Sequence, residues 1–175
     1  MKEKGNGGGN TITGLNFERE IDILELLKSK EGYKVVGNII SYEGKEVAKN
    51  FRKNALYKFL ESKGINYKTI LSKKLLPDEA MYVIINNTLF IIEIKFQKVA
   101  GSVDEKLQTC DFKRKQYAKL MAPLNIEVEY IYILSDWFRK PEYKDVLDYI
   151  ISVGCQYYFR YLPLQKLGLP VPNLS

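Results

Sequence analysis

The fold is decided by two short stretches of sequence, LLPDEA at residues 75–80 and IIEIKF at residues 91–96, separated by a hairpin turn. The second stretch lies in an apolar strand, whose side chains alternate between the two faces of a sheet. Glu93 and Lys95 therefore share one face, and placing both charges in an apolar strand costs free energy unless a partner compensates them. The first stretch supplies Asp78 at the start of the partner strand, so the hairpin register can bring this carboxylate beside Glu93.

Hydrophobic periodicity on either side of this hairpin predicts an α/β fold, with a mixed sheet flanked by α-helices. Helices are predicted over residues 17–28, 47–62, 103–120 and 143–153. Strands are predicted over residues 33–42, 66–71, 80–85, 88–97, 128–134 and 156–161. Asn86 and Asn87 are predicted to form a two-residue turn between the central strands.

The length and composition of the chain limit the classes of protein it can belong to. Its 175 residues fit one domain, which we expect to span residues 14–175. Residues 1–13 are rich in glycine and asparagine and are predicted to form a flexible tail. The chain has no histidine, which excludes a histidine zinc site, a Ser–His–Asp triad and imidazole acid–base catalysis. Any catalysis must use carboxylates, lysine, tyrosine, cysteine or a metal held by oxygen ligands.

Cysteine content and hydropathy predict the compartment. Cys110 and Cys155 form no CxxC pair, which favours a reduced, cytoplasmic protein. No apolar run approaches the ~20 residues of a membrane span, and the first residues lack the apolar core of a secretory signal. We therefore expect a soluble protein with no membrane partner. The sequence contains no P-loop and no GxGxxG motif, so no nucleotide cofactor is predicted.

The net charge of +6 is unevenly distributed along the chain. The segment from Lys28 to Lys74 contains twelve lysines and arginines against four glutamates, a net charge of +8. Such a basic segment favours a polyanionic partner. A lysine-rich surface with no partner explains the charge equally well.

Two carboxylates beside a lysine form an oxygen-ligand site of the kind that Mg²⁺ prefers. An ion held by Asp78 and Glu93 can polarise a phosphodiester and lower the pKa of a bound water. Lys95 would then lie where it can hold the attacking water or the scissile phosphate. The alternative is an ion pair on an edge hairpin, in which Glu93 is neutralised by Lys95 and no metal is bound.

The order Pro77-Asp78, fourteen intervening residues, then Glu93-Ile94-Lys95 resembles the PD-(D/E)xK nuclease superfamily. This resemblance implies a restriction-endonuclease-like fold, with a core similar to residues 17–29 and 66–134. It implies that Asp78 and Glu93 bind a divalent metal together with the backbone carbonyl of Ile94, while Lys95 assists the nucleophilic water. The implied cofactor is Mg²⁺, for which Mn²⁺ is expected to substitute.

Three further residues are candidates for the same active site. An acidic residue on the first helix of the superfamily often supports the metal, and Glu18 is the candidate here. Gln97 shares the face of Lys95 and can contact the same water. Gln116 lies on the helix after the ExK strand, where relatives use a glutamine or lysine to orient the phosphate or the water; an ordinary solvated helix face is the alternative.

Seven basic residues are candidates for contacts with nucleic acid phosphates. They are Lys49, Arg52, Lys53, Lys73, Lys74, Lys106 and Lys113. Of these, Lys106 and Lys113 are predicted to share a helix face with Gln116. Phosphate contacts supply affinity and register, whereas sequence readout needs contacts with base edges.

These observations together predict a Mg²⁺-dependent endonuclease that hydrolyses phosphodiester bonds in double-stranded DNA. With no separate recognition domain, a homodimer that cuts both strands of a palindrome is favoured, as in a type II restriction enzyme of a restriction–modification system. The resemblance implies 5′-phosphate ends. One alternative is a structure-specific nuclease, such as a junction resolvase or repair nickase. Another is a non-catalytic DNA-binding module, against which the intact set of Asp78, Glu93 and Lys95 argues.

Overall fold

The computed structural model describes residues 10–99, 101 and 103–173. The predicted N-terminal tail falls mostly outside these residues. Its last part, Asn10–Thr13, forms a short helix, α1. None of the helices in the described part of the chain has the length and apolar character of a membrane span.

A seven-stranded mixed sheet forms the centre of the fold, with strand order β2-β3-β4-β5-β6-β7-β8. The strands are β1 Gly14–Asn16, β2 Tyr33–Val36, β3 Ile39–Tyr42, β4 Lys45–Asn50, β5 Glu79–Val83, β6 Thr88–Lys95, β7 Glu127–Leu134, β8 Gln156–Phe159 and β9 Tyr161–Pro163. Neighbours from β2 to β6 are antiparallel, whereas β6, β7 and β8 are parallel to one another. The prediction of an α/β fold with a mixed sheet is confirmed.

Helices cover both faces of this sheet. The remaining α-helices are α2 Ile23–Lys28, α3 Asn54–Ser62, α4 Val103–Leu107, α5 Cys110–Met121 and α6 Lys144–Ser152. Short 3₁₀ helices span Tyr67–Thr69, Ala122–Leu124, Asp136–Arg139, Pro141–Tyr143 and Leu164–Leu167. One face of the sheet packs against α3, α5 and α6, and the other packs against α2 and the pair β1–β9.

The helix predicted over residues 17–28 is wrong in its first half. Residues Gly14–Asn16 form β1, which pairs with β9 near the other end of the chain, and helix α2 begins only at Ile23. The side chain of Asp22 caps this helix by accepting a hydrogen bond of 2.8 Å from the backbone N–H of Leu24. The strand predicted over residues 156–161 is likewise interrupted at Arg160, whose φ is +58°.

The single strand predicted over residues 33–42 is a hairpin of β2 and β3. The strands pair Val36 with Ile39, which leaves Gly37 and Asn38 as a two-residue loop. Gly37 has a φ of +61°, the conformation that two-residue hairpins require at the first loop position and that glycine adopts without strain.

The helix predicted over residues 47–62 begins at Asn54, and the residues before it form β4. The register of β4 against β3 jumps from Ala48 to Glu46, so Val47 is an extra, bulged residue. Val47 and Ala48 therefore both contact the same core, instead of alternating between faces. The bulge removes the period-two pattern by which a strand is recognised in a sequence.

Three smaller predictions also need correction. The strand predicted over residues 66–71 contains the 3₁₀ helix Tyr67–Thr69, which the Asn66 side chain caps. The predicted turn at Asn86–Asn87 is a loop of residues 84–87, because Val83 pairs with Thr88. The helix predicted over residues 103–120 is divided into α4 and α5, so Lys106 does not lie on one helix with Gln116.

Candidate active site

Asp78 directly precedes β5, at the end of the central hairpin where β6 carries Glu93. Strands β5 and β6 pair as far as Glu79 with Ile92, and continuation of this register by one residue would bring Asp78 across from Glu93. Residues directly opposite in an antiparallel pair present their side chains on the same face. Asp78 is exposed and, within the described residues, forms no hydrogen bond or ion pair. The predicted pair of carboxylates thus lies at one end of the hairpin.

Glu93 is buried, with 8% of its surface exposed, and its two oxygens have different surroundings. Oε1 accepts a hydrogen bond of 2.9 Å from Lys113 Nζ and another from the Tyr130 hydroxyl. Oε2 lies 3.3 Å from Lys95 Nζ, within ion-pair distance but without the alignment of a hydrogen bond. One oxygen is therefore saturated, and the other has no hydrogen-bond donor among the described residues.

The surroundings of Glu93 keep it ionised. Burial alone raises the pKa of Glu93, but the hydrogen bond from Lys113, the charge of Lys95 and the hydrogen bond from Tyr130 together outweigh it. The pKa of Glu93 lies below its ordinary value as a result. Glu93 is therefore ionised at neutral pH. A carboxylate must be ionised to bind a metal cation.

Buried tyrosines line the same region, and none of them is among the candidates that the sequence offers. Burial and the charge of Glu93 raise the pKa of Tyr130, so its phenol remains protonated and donates to Glu93. Burial also raises the pKa of Tyr117, and the neighbouring Tyr57 and the charges of Glu93 and Asp78 raise it further. The charges of both carboxylates thus act on the Tyr117 phenol of α5.

A sequence signal for Tyr130 does exist. Strand β7 runs parallel to β6 and pairs Ile91 with Tyr130 and Glu93 with Tyr132. Tyr130 and Tyr132 thus fall in phase with Glu93 on the face covered by α5. This alignment of Tyr130 with Glu93 depends on the parallel crossover from β6 to β7, which local sequence patterns do not specify.

A cavity of about 350 Å³ opens beside Lys95. Gln97 and Glu20 also line it, the latter from the segment before α2. Gln97 donates from its backbone N–H to Ser135 Oγ at 3.2 Å and from Nε2 to the Val99 carbonyl at 2.6 Å. Gln97 is thus brought to Lys95, as its position on the strand predicts.

Glu18 lies elsewhere. It lines a separate cavity of about 400 Å³, together with Asn16 and Leu26. The prediction that Glu18 supports the metal depends on a helix that begins at residue 17. Residues 18–20 instead form a bend before α2. The acidic residue that lines the cavity of Lys95 is Glu20.

The two remaining candidates for the active site lie close to it in the fold. Ile94 pairs with Ile133 of β7, and the β5–β6 ladder ends at Ile92, so Ile94 adjoins Glu93 at the open end of the hairpin. Gln116 is partly buried on α5, three residues after Lys113, and makes no hydrogen bond within the part of the chain that the structure describes.

Arg52, a predicted phosphate contact, is held in an ion-pair network on the opposite face of the sheet. Its guanidinium donates to both oxygens of Glu79, with Nε 3.1 Å from Oε2, and lies 2.7 Å from Asp22 Oδ1. Asn50 Nδ2 donates a further hydrogen bond of 2.5 Å to Glu79. Because Glu79 is 4% exposed, this network compensates a buried charge, while the Arg52 side chain itself remains 43% exposed.

The other basic candidates differ in how free they are. Lys49 pairs with Glu46 at 3.3 Å, and Lys74 Nζ lies 4.9 Å from the centres of the Tyr57 and Tyr67 rings. Lys53 is exposed, and its backbone N–H donates to the Pro77 carbonyl at 2.8 Å, which sets it near Asp78. The side chains of Lys73 and Lys106 are exposed to solvent, while Lys113 is bound to Glu93.

The donor set at the hairpin suits Mg²⁺. No group of three or more histidine, cysteine, aspartate or glutamate side chains is brought together in the described ranges. Mg²⁺ is commonly held by only one or two carboxylates, with waters and substrate phosphate completing the octahedron. The buried Oε2 of Glu93 has no hydrogen-bond donor, and Asp78 directly precedes the partner strand, so these two carboxylates could hold such an ion in place of the Lys95 ammonium.

The chain matches no family model, no curated protein and no solved structure. The features of the site that bear on function are the buried carboxylate of Glu93, with one oxygen that accepts no hydrogen bond, the ammonium of Lys95 beside that oxygen, and the exposed carboxylate of Asp78 just before the partner strand.

Proposed function

We propose that this protein is a Mg²⁺-dependent deoxyribonuclease that hydrolyses phosphodiester bonds in double-stranded DNA. The observation that supports it most is the β5–β6 register, which pairs Glu79 with Ile92 and so brings the start of β5 beside Glu93. Asp78 directly precedes β5, and Glu93 lies two residues from Lys95 on β6. An arrangement of this kind is what the PD-(D/E)xK pattern implies.

In this proposal Asp78 and Glu93 would hold Mg²⁺ or Mn²⁺, with the backbone carbonyl of Ile94. The bound ion supplies charge stabilisation for a phosphodiester and lowers the pKa of a water. The protein's own contribution is to keep Glu93 ionised by means of Lys113 and Tyr130. Catalysis of this kind needs no histidine, in agreement with the composition.

Lys95 is proposed to position the attacking water or the scissile phosphate. Its Nζ lies 3.3 Å from Glu93 Oε2, and the residue lines the open cavity beside the site. A cation at the mouth of a cavity attracts a phosphate. Gln97 lines the same cavity and is proposed to contact the same water.

The more detailed proposal is a homodimeric type II restriction enzyme that leaves 5′-phosphate ends. Two copies of one site, related by a twofold axis, can cut both strands of a palindrome. The structure-specific nuclease remains the second candidate, and the two differ in the substrate that they cleave.

The experiment compares a long linear duplex with a four-way junction, each in Mg²⁺ and in EDTA. Discrete bands from the duplex, formed only in Mg²⁺, would support the restriction enzyme. Cleavage of the junction alone would support the structure-specific nuclease. If both substrates stay intact while a gel shift shows that they are bound, the protein is a non-catalytic DNA-binding module and the proposal is wrong.

Lys53 offers a test of how DNA approaches the site. Replacing Lys53 with alanine is expected to weaken duplex binding and to reduce the slope of log K against log salt by about 0.9, the value for one phosphate contact. The reason is its exposed position beside Pro77 and Asp78. Fluorescence anisotropy in EDTA at several NaCl concentrations measures both quantities.

Lys34→Ala is the matched control for this substitution. Lys34 is an exposed lysine on β2, at the far edge of the sheet. An equal loss of slope in both variants would mean that Lys53 acts only through the net charge of the protein.

A further inference from the structure

We infer that Tyr130 and Lys113 determine which divalent cation the site accepts, by leaving Glu93 a single oxygen for it. This inference rests on the proposed metal site and concerns its selectivity. Tyr130 and Lys113 are positioning residues, since both act through Glu93.

The geometry of Glu93 is asymmetric. A carboxylate oxygen offers about two lone-pair sites, and both donors of Glu93 point to the same oxygen, Oε1. One donor is the ammonium of Lys113 at 2.9 Å, and the other is the phenol of Tyr130. Oε2 accepts no hydrogen bond but is buried 3.3 Å from the Lys95 ammonium, so a cation that takes the place of this ammonium can bind Oε2 and leave both hydrogen bonds to Oε1 intact. Binding through both oxygens requires that one of those hydrogen bonds break.

This asymmetry discriminates between Mg²⁺ and Ca²⁺. Mg²⁺ requires near-ideal octahedral geometry with ligands at about 2.0–2.1 Å, and a carboxylate that gives one oxygen suits it. Ca²⁺ takes six to eight oxygens and often binds a carboxylate through both. A glutamate with Oε1 already saturated therefore favours Mg²⁺ over Ca²⁺.

Burial of the surrounding residues holds the Glu93 carboxylate in one orientation. Glu93 is 8% exposed, and Tyr130 is completely buried on the neighbouring strand, so the phenol has no room to move away. Lys113 comes from α5, whose residues Tyr117 and Leu120 are packed in the core. The two donors are fixed by two different elements of the fold, and the orientation of the carboxylate is fixed with them.

The test uses Mn²⁺ as the probe, with free Mn²⁺ measured by electron paramagnetic resonance and with Mg²⁺ and Ca²⁺ as competitors. The wild-type protein is expected to bind Mg²⁺ more tightly than Ca²⁺. Tyr130→Phe frees one lone pair of Oε1, and the Mg²⁺ to Ca²⁺ affinity ratio is expected to fall about tenfold, the usual scale for loss of a group that supports a metal ligand.

Tyr132→Phe is the matched control. Tyr132 is equally buried on the same strand and face, but its hydroxyl donates to the backbone carbonyls of Lys106 and Leu107 at 3.3 and 3.4 Å. The Mg²⁺ to Ca²⁺ affinity ratio of Tyr132→Phe is expected to stay at the wild-type value. Lys113→Gln should shift the Mg²⁺ to Ca²⁺ affinity ratio in the same direction as Tyr130→Phe. Because Lys113 is partly exposed, this variant serves as the test if Tyr130→Phe fails to fold.

The outcomes separate this inference from the proposed function. An unchanged ratio in folded Tyr130→Phe and Lys113→Gln, with Mn²⁺ binding still lost in Glu93→Gln, would overturn the selectivity inference and leave the metal site intact. If Mn²⁺ binds wild type and Glu93→Gln equally, Glu93 is no ligand, and the proposed metal site fails together with the inference.

Discussion

Replacing Glu93 with glutamine is expected to lower the rate of Mg²⁺-dependent DNA cleavage by about 10³-fold or more, equivalent to about 4 kcal/mol of activation free energy. The amide keeps the shape of the side chain but removes the negative charge that a cation needs. Lys95 and Lys113 lose their counter-charge, yet both are partly exposed and can turn toward water. The fold and the affinity for duplex DNA are therefore expected to remain near the wild-type values.

Glu129→Gln is the control for this substitution. Glu129 lies on β7, beside Tyr130 in sequence and hence on the other face of the sheet, and its Oε2 accepts a hydrogen bond of 3.3 Å from Gln156. Cleavage by this variant should match the wild-type rate. A Glu93→Gln protein that cleaves within tenfold of wild type would show that Glu93 is an ion-pair partner only.

Replacing Arg52 with methionine is expected to lower the free energy of unfolding by about 2 kcal/mol, because it leaves the carboxylate of Glu79 buried without its cation. Methionine retains the apolar part of the arginine side chain, so the effect isolates the loss of charge. The expected cost lies below that of a fully buried pair, since Arg52 is 43% exposed and Asn50 still donates a hydrogen bond to Glu79. Urea denaturation followed by circular dichroism measures the change.

Arg139→Met serves as the comparison, because Arg139 and its partner Asp136 both have more than half of their side-chain surface exposed. Its cost should stay below about 1 kcal/mol. The folded Arg52→Met protein should bind DNA with the wild-type salt dependence. A smaller slope of log K for DNA binding against log salt, without loss of stability, would show that Arg52 contacts phosphate, as the charge of its segment predicts.

The sequence is sufficient to predict the central hairpin and the strand of that hairpin that carries Glu93 and Lys95. The apolar strand around Glu93 has a clear boundary, and its partner begins directly after Pro77 and Asp78. Because side chains in a strand alternate, the separation of Glu79 from Asp78 onto opposite faces also follows from the sequence. Local patterns decide these features, since the two strands are neighbours along the chain.

Features that depend on distant partners could not be predicted in this way. Strand β1 exists because β9 pairs with it, and no periodicity near residue 17 reports a partner so far along the chain. The bulge at Val47 hides β4, since it interrupts the alternation that identifies a strand. The shift of the candidate acidic residue from Glu18 to Glu20 is a consequence of the first of these errors.

The prediction of the site from sequence is incomplete for the same reason, because it too depends on partners that are distant along the chain. Lys113 and Tyr130 meet at Glu93 only after the chain has crossed from β6 to β7 through α5. Lys113 was expected to contact phosphate, and Arg52 was expected to do so as well. Sequence shows that a basic residue is present, but whether it faces solvent or a buried carboxylate depends on the tertiary packing around it.

The most direct test of the central claim is a cleavage time course on a long DNA duplex with wild type, Asp78→Asn and Asp145→Asn. Asp145 is an exposed aspartate at the start of α6 and serves as the control. We expect wild type and Asp145→Asn to give discrete fragments with 5′-phosphate ends in Mg²⁺ and none in EDTA, while Asp78→Asn binds the DNA and leaves it intact. Cleavage by Asp78→Asn at the wild-type rate, or duplex left intact by wild type in Mg²⁺, would contradict the claim that Asp78 and Glu93 form the metal site of an endonuclease that cuts duplex DNA.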